Sequence, residues 1–201
     1  SIEAKLEQER LLAAAETIAH AAVTNVEPIG RVDDSIDKGI LRTAQERHAN
    51  LLICGWKGYS TYRDNFFGSI IDNVVRRTTV PMLITRFKQP IQSTRRIFLA
   101  ISNSEVNTVG FQQTLALVNT LATELKASLQ VLQVLPNQRS PIEPHAIPNL
   151  SEEVPVQQVQ GNFVNQVAQI LKIDDLLVLP HSAYLGRLGI SPLGAEAEAI
   201  A

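Results

Sequence analysis

The sequence predicts a parallel α/β fold, and three observations carry that expectation. Apolar runs of strand length recur, among them Leu51-Leu52-Ile53-Cys54, Met82 to Phe87 and Ile97-Phe98-Leu99-Ala100-Ile101. Amphipathic stretches of about ten residues or more separate them, the rhythm of strand and crossover helix. One junction is also marked by glycine. Gly55 and Gly58 follow the first run, and Gly68 and Ser69 open the next amphipathic stretch. That order reads as a buried strand, a glycine-bearing loop and a helix start.

Composition bounds the rest. The 201 residues suffice for one large domain or two small ones. Hydrophobic residues make up 45% and charged residues 19%, a globular balance. A formal net charge of -2 gives no basic footprint for nucleic acid. The single cysteine forms no internal disulfide and fits a reducing, cytoplasmic setting. No run approaches the roughly 18 apolar residues of a membrane span, and no signal peptide stands at the start. The chain opens at Ser1 in what reads as mid-helix, which suggests a piece of something longer.

In order, residues from Ile2 to Val23 read as a helix, with Leu6, Leu11, Leu12, Ala15, Ile18, Ala19 and Ala22 near helical spacing. Val26 to Val32 reads as a short strand interrupted by Pro28, an edge position. Asp33, Asp34 and Ser35 offer N-caps for a helix from Ile36 to His48. Leu51 to Cys54 is a strand, Ser69 to Arg77 a helix broken by Thr78-Thr79-Val80-Pro81, and Met82 to Phe87 a strand. Lys88 to Thr94 is polar and reads as a linker, so domains over 1–88 and 95–201 are expected, with 89–94 between them.

Beyond it come a strand at Ile97 to Ile101, a helix from Val106 to Lys126 capped from Ser102-Asn103-Ser104, and a strand at Leu129 to Leu135. Pro136 to Pro155 holds four prolines beyond the first and is expected to be extended and mobile. Val156 to Val159 reads as a strand, Phe163 to Leu171 as a helix and Leu176 to Leu179 as a buried strand. The tail from Gly186 to Ala201 ends in an Ala/Glu run with helical character. The order helix, polar turn, strand, loop occurs at His48 to Cys54 and again at Ile173 to Leu179, which suggests two copies of one unit.

Glycine lets a ligand approach the backbone, and a helix N-terminus presents unpaired N–H groups to an anion. Gly55 to Ser69 is therefore a candidate phosphate cradle. It has neither the P-loop ending nor the dinucleotide fingerprint. The spacing Gly55-x2-Gly58-x9-Gly68-Ser69 resembles the motif of the nucleotide-binding branch of the universal stress protein family. Ile70, Val80-Pro81 and Met82-Leu83-Ile84 also look like that family's ending.

The resemblance covers 1–87 well and 95–201 as a divergent second copy. It implies a doubly wound, Rossmann-like parallel sheet in two tandem copies, the first lacking its opening strands. It implies that Cys54, Gly55, Gly58, Gly68, Ser69 and Ile70 hold ATP or another adenine nucleotide, with Mg²⁺ as an accompanying ion. In the second copy Ser102 stands where the family has an Asp. Pro180, Ala183 and Leu193 replace Gly55, Gly58 and Gly68, so that copy is not expected to bind in the family manner.

Tandem units, together with the run Arg31 to Thr43, look like the cytoplasmic tail of bacterial cation/proton (Na⁺/H⁺) antiporters. That implies a stress-responsive regulatory domain tethered to the inner membrane by a transporter portion of the same polypeptide. The family also pairs edge to edge through the strand matching Met82 to Phe87, which implies a homodimer. No Gly-x-Ser-x-Gly, His-Glu-x-x-His or Cys-x-x-Cys occurs, so an enzyme is not expected. A nucleotide-free assembly module and a slow nucleotide hydrolase are the alternatives.

Plainer readings stand beside these. The glycines also suit a tight turn with Ser69 as a cap. Lys57 and Arg63 also read as solvated charges, and Trp56 as edge packing rather than a base-stacking shelf. Cys54 reads as a small buried hydrophobe. Asp33, Asp34 and Asp37 read as caps more economically than as a Mg²⁺ site.

Overall fold

The computed structural model describes residues 2–22, 24–56, 69–136 and 144–181. They form two compact units, Ser1–Ala49 and Asn50–Ala201.

The first unit is helical. Helix α1 spans Ile2–Ala21. Its expected apolar stripe is not a buried face: Leu6 is 60% and Ile18 70% exposed, and only Ala19 is buried there. Leu11 and Leu12, like Ile18 and Ala19, are sequence neighbours about 100° apart around a helix, so they do not make one narrow stripe. Residues 24–33 have no regular structure, where a short strand was expected. Pro28 removes a ladder donor, and a strand needs a partner that this unit lacks among the described residues.

Side chains hold the segment instead. Arg47 Nη1 donates to Glu27 at 3.1 Å, and Arg31 Nη2 to Glu46 at 3.1 Å. Helix α2 covers Ile36–Glu46. Ser35 takes the N-cap position without a side-chain bond, and His48, expected inside the helix, lies beyond it at φ 50°.

The second unit holds two parallel sheets. In the first, β1 (Leu52–Gly55) pairs with β2 (Met82–Thr85), and α3 (Ser69–Arg77) connects them. The second has the order β5-β4-β3-β6 and is parallel throughout. Its strands are β3 (Arg96–Ser102), β4 (Ser128–Leu135), β5 (Val156–Gln160) and β6 (Asp175–Val178). Two helices serve as crossovers, α4 (Val109–Leu125) and α5 (Phe163–Ile170). The polar stretch before β3 contains a short 3-10 turn at Ile91–Ser93.

Period-two alternation on β3 explains both layers of the core. Ile97, Leu99 and Ile101 pack with Phe111, Leu115 and Val118 of α4. Phe98 and Ala100 point the other way, to Phe163 and Val167 of α5. Helices therefore cover both faces of this sheet. Thr108 caps α4 by accepting from Phe111 N–H at 3.1 Å, and Asn162 caps α5 by accepting from Asn165 N–H at 3.1 Å. The expected cap of α4, Ser102-Asn103-Ser104, lies in the turn before it, and Asn103 is used elsewhere.

The proline-rich connection differs most from expectation. Residues 144–155 form an ordered strap whose Ile147, Leu150 and Val154 pack on the α4 layer. Prolines fix φ and lower the entropy an irregular segment loses on ordering. The three apolar residues between them supply the burial that keeps it down. Residues 137–143 and the expected tail helix lie outside the described residues.

Candidate functional site

At the carboxyl edge of the first sheet, β1 and β2 finish level, with Gly55 opposite Thr85. Trp56 N–H then donates to Thr85 O at 2.8 Å. Helix α3 connects the two strands. Its nine residues span about 13 Å, close to the roughly 13 Å of four strand residues. The short connection 78–81 ties its last turn to the start of β2. Ser69 is its first residue, and Ile70 follows in its first turn. Val74 and Val75, four and five residues beyond Ile70, are buried and anchor the helix.

The expected site residues divide between described and undescribed chain. Cys54, Gly55, Ser69 and Ile70 fall on β1 and the first turn of α3. Gly58 and Gly68, with Lys57 and Arg63, lie outside the described residues. A Cβ built on Gly55 would meet no described atom within 4 Å, and its φ is not left-handed. The described residues thus give no steric reason for glycine at 55, whereas a backbone that must admit a ligand would. Cys54 is half-buried, and burial pushes its thiol up, away from a reactive thiolate.

A pairing that the sequence did not reveal closes this edge. The Arg86 guanidinium, just past β2, lies 5.1 Å from the centre of the Trp56 ring. Trp56 is buried, and Arg86 covers its ring. The edge-packing reading of Trp56 fits this better than a shelf for a base. By sequence the first strand is expected to end at Cys54, and Arg86 falls inside the strand Met82 to Phe87, which gives no hint of the pair.

The carboxyl edge of the second sheet is built differently. A cleft of about 400 Å³ opens among Ser102, Asn103, Ser104, His145, Gly161 and Asn162. Ser102, at the position expected of an Asp, binds Glu105 Oε2 through its N–H and its hydroxyl, both at 3.0 Å. Beside it Gln133 is fully buried. Its amide donates to Asn103 Oδ1 and His145 O, each at 2.9 Å, and accepts from Gln158 at 3.1 Å. His145 N–H donates to Asn103 Oδ1 at 2.8 Å, and its Nδ1 stands 3.0 Å from Asn103 O. The strap is thus clasped to the ends of β3 and β4. The crevice's polar groups are spent on the chain itself, and a carboxylate stands at its rim. Pro180, after β6, is buried.

The run Arg31 to Thr43 is organised by charge. The Asp33 carboxylate accepts from Asp34 N–H at 2.8 Å and meets Arg42 at 3.1 Å and Arg31 at 3.2 Å. The N–H first, then the two guanidinium groups, hold it below the usual carboxylate range. With Asp33 occupied in this way, its role is to fix the approach to α2.

This architecture is a parallel α/β fold. Residues 1–86 match the model of the universal stress protein family. The chain is similar to the Na(+)/H(+) antiporter NhaS5 of Synechocystis sp. (strain ATCC 27184 / PCC 6803 / Kazusa), with 32% identity over 134 residues. That match takes in 66% of this chain but spans only 19% of the antiporter.

Two solved structures from Pseudomonas aeruginosa share the fold. A candidate universal stress protein of strain UCBPP-PA14 aligns with TM-score 0.61 and 16% identity, over 94% of this chain and 73% of its own. A functionally unknown protein of strain PAO1 aligns with TM-score 0.60 and 14% identity, over 96% and 73%.

Proposed function

We propose that this chain is a regulatory module that binds ATP or a related adenine nucleotide at the carboxyl edge of β1 and β2. Open space around Gly55 among the described residues, at the carboxyl end of β1 and level with Thr85 of β2, is the observation that carries the reading. Gly55 and Gly58 would admit the ribose and phosphates. Gly68, Ser69 and Ile70 would offer N–H groups to phosphate, each such charge-assisted bond contributing about 1.5–3 kcal/mol. Cys54 would touch the nucleotide through its backbone, and Mg²⁺ would arrive with the phosphates.

The likeness to an antiporter supports attachment to a cation/proton transporter, with the module at the cytoplasmic face of the inner membrane. Among the described residues no helix is long and apolar enough to cross a membrane. Residues 95–201 would be a second, non-binding copy of the unit; β3 lies between β4 and β6, as the resemblance requires of a first strand. Binding would act by differential affinity for two states of the module.

Isothermal titration calorimetry of the full-length polypeptide with ATP tests the reading. Saturable binding lost in Gly55→Val, with an unchanged circular dichroism spectrum, is expected. Absence of ATP binding, or equal binding by the variant, would sink it.

The outer edge of β2 favours a second reading. It pairs with no strand among the described residues, so a second copy of the chain could extend the sheet there, with or without nucleotide. Sedimentation of Leu83→Pro against wild type tests this, and an unchanged dimer rejects it.

A further inference from the structure

The four-stranded sheet ends in β5 on one side and β6 on the other. Edge strands that face water are usually guarded by charge or proline. β6 carries Asp175 and is followed by Pro180. β5, Val-Gln-Gln-Val-Gln, has no such guard within it. No charged residue stands anywhere from Val154 to Leu171. Yet Val156, Gln157, Gln158 and Gln160 are exposed, and among the described residues β5 pairs with no strand but β4.

Its bonds to β4 fix where its backbone groups point. Pro155 O accepts from Val131 N–H at 3.0 Å, and Gly161 N–H donates to Leu135 O at 3.1 Å. The register between them is unbroken, so Gln157 and Val159 face β4 as well. Val156, Gln158 and Gln160 therefore turn both N–H and C=O outward. The neighbouring amides do not cap them. Gln158 donates to Gln133 at 3.1 Å and Gln157 accepts from Gln130 at 3.5 Å, both back across the sheet.

An antiparallel strand of the same sequence, centred on Gln158, uses every one of these outward groups. Gln158 meets its own counterpart and Val156 meets the partner's Gln160, each pair exchanging both bonds. Paired positions have equal parity, so side chains keep their faces of the sheet. Charge agrees with this orientation. Glu152 and Glu153, at the head of β5, come beside the uncharged far end of the other strand rather than beside each other.

We infer that the outer edge of β5 is an interface between two copies of this chain, paired antiparallel about a two-fold axis at Gln158, which joins two four-stranded sheets into one. It is a different surface from the outer edge of β2, and it needs no nucleotide.

Sedimentation equilibrium of the 201-residue chain tests this. Wild type is expected to dimerise. Val156→Lys with Gln160→Lys sets like charges opposite each other in both outer pairs and should weaken the dimer about tenfold. Val156→Lys with Gln160→Glu sets opposite charges in the same pairs and should restore it. Both side chains are exposed, so the circular dichroism spectrum should not change. Amide exchange reads the register. Val156, Gln158 and Gln160 should gain protection as concentration rises, while Gln157 and Val159 are protected throughout. A monomeric wild type overturns the inference, and so does a dimer that survives the double lysine variant, as one held by β2 would. A dimer equally weakened by both charge variants overturns it too.

Discussion

The two parallel sheets of the second unit put similar sequence runs to different uses. In the four-stranded sheet, Ile97 to Ile101 are wholly buried between α4 and α5. In the two-stranded sheet, the equally apolar run Leu52 to Cys54 alternates, and Ile53 is 63% exposed. The larger sheet devotes its strands to a core and closes its carboxyl edge with its own strap. The smaller one has little core and leaves open space at Gly55. An apolar run therefore shows that a strand exists, while burial depends on how many layers enclose it. Access for a ligand is easiest where few do.

The largest expected effect tests the core side of this comparison. Phe98→Ala should destabilise the chain by about 3–5 kcal/mol, because it empties a fully enclosed site. Ile53→Ala should stay within about 0.5 kcal/mol. Denaturant melts of the two variants decide it, and similar losses would erase the distinction.

The next effect concerns the amino edge of the larger sheet. Arg96 donates through Nε to Asp175 at 2.8 Å, binds the same carboxylate again through Nη2, reaches Gln130, and lies 4.8 Å over Phe98. Burial pushes the Asp175 carboxyl up, but the Arg96 hydrogen bond and the Lys172 N–H outweigh it and leave it below its usual range. A folded-state pKa below the unfolded one gives stability that is present above the unfolded value and is lost as pH falls through the folded value. Asp175→Asn should thus cost about 2 kcal/mol at neutral pH. That cost should begin to shrink below about pH 4, where the carboxylate of the unfolded chain takes up its proton, and vanish once pH falls through the lower folded value. Melts at pH 7 and pH 3 check this, and a pH-independent cost would contradict it.

Smaller again is the clasp. Gln133→Ala should cost about 1–3 kcal/mol by leaving Asn103 and His145 groups unsatisfied. Hydrogen exchange should rise first in residues 144–155, and a uniform rise across the sheet would argue against a separable strap. The smallest effect sharpens the comparison from the open side. Gly55→Ala should leave stability level or raise it by up to about 1 kcal/mol. Clear destabilisation by the alanine would show that glycine is there for packing.

Much of the fold was legible because strand and helix periods differ. The runs at 52–55, 82–85, 96–102, 128–135, 156–160 and 175–178 all appeared as strands within a residue or two of their ends. What the sequence hid was partnership. Val26 to Val32 has strand composition and no ladder to join. Residues 144–155 have loop composition, yet three spaced apolar side chains suffice to hold them. Asn103 sits at a plausible cap, but a buried glutamine thirty residues away claims it. At the candidate site, the strand end near Gly55 and the helix start at Ser69 were readable from spacing, whereas Cys54 and Ile70 entered only through the family resemblance. The Arg86–Trp56 contact depends on register between strands, which no local pattern encodes.

The place of β3 in its sheet also bears on how the chain is made. It lies between β4 and β6, so its second edge waits for β6, the last strand of this sheet to be synthesised among the described residues. Arg96 and Asp175 are 79 residues apart. At ribosomal rates of about 5–20 residues per second, that separation is about 4–16 s. Throughout that interval β3, with Ile97 to Ile101 destined for full burial, has emerged with an unpaired edge. A nascent chain stalled before Asp175 would carry it as a hazard for aggregation.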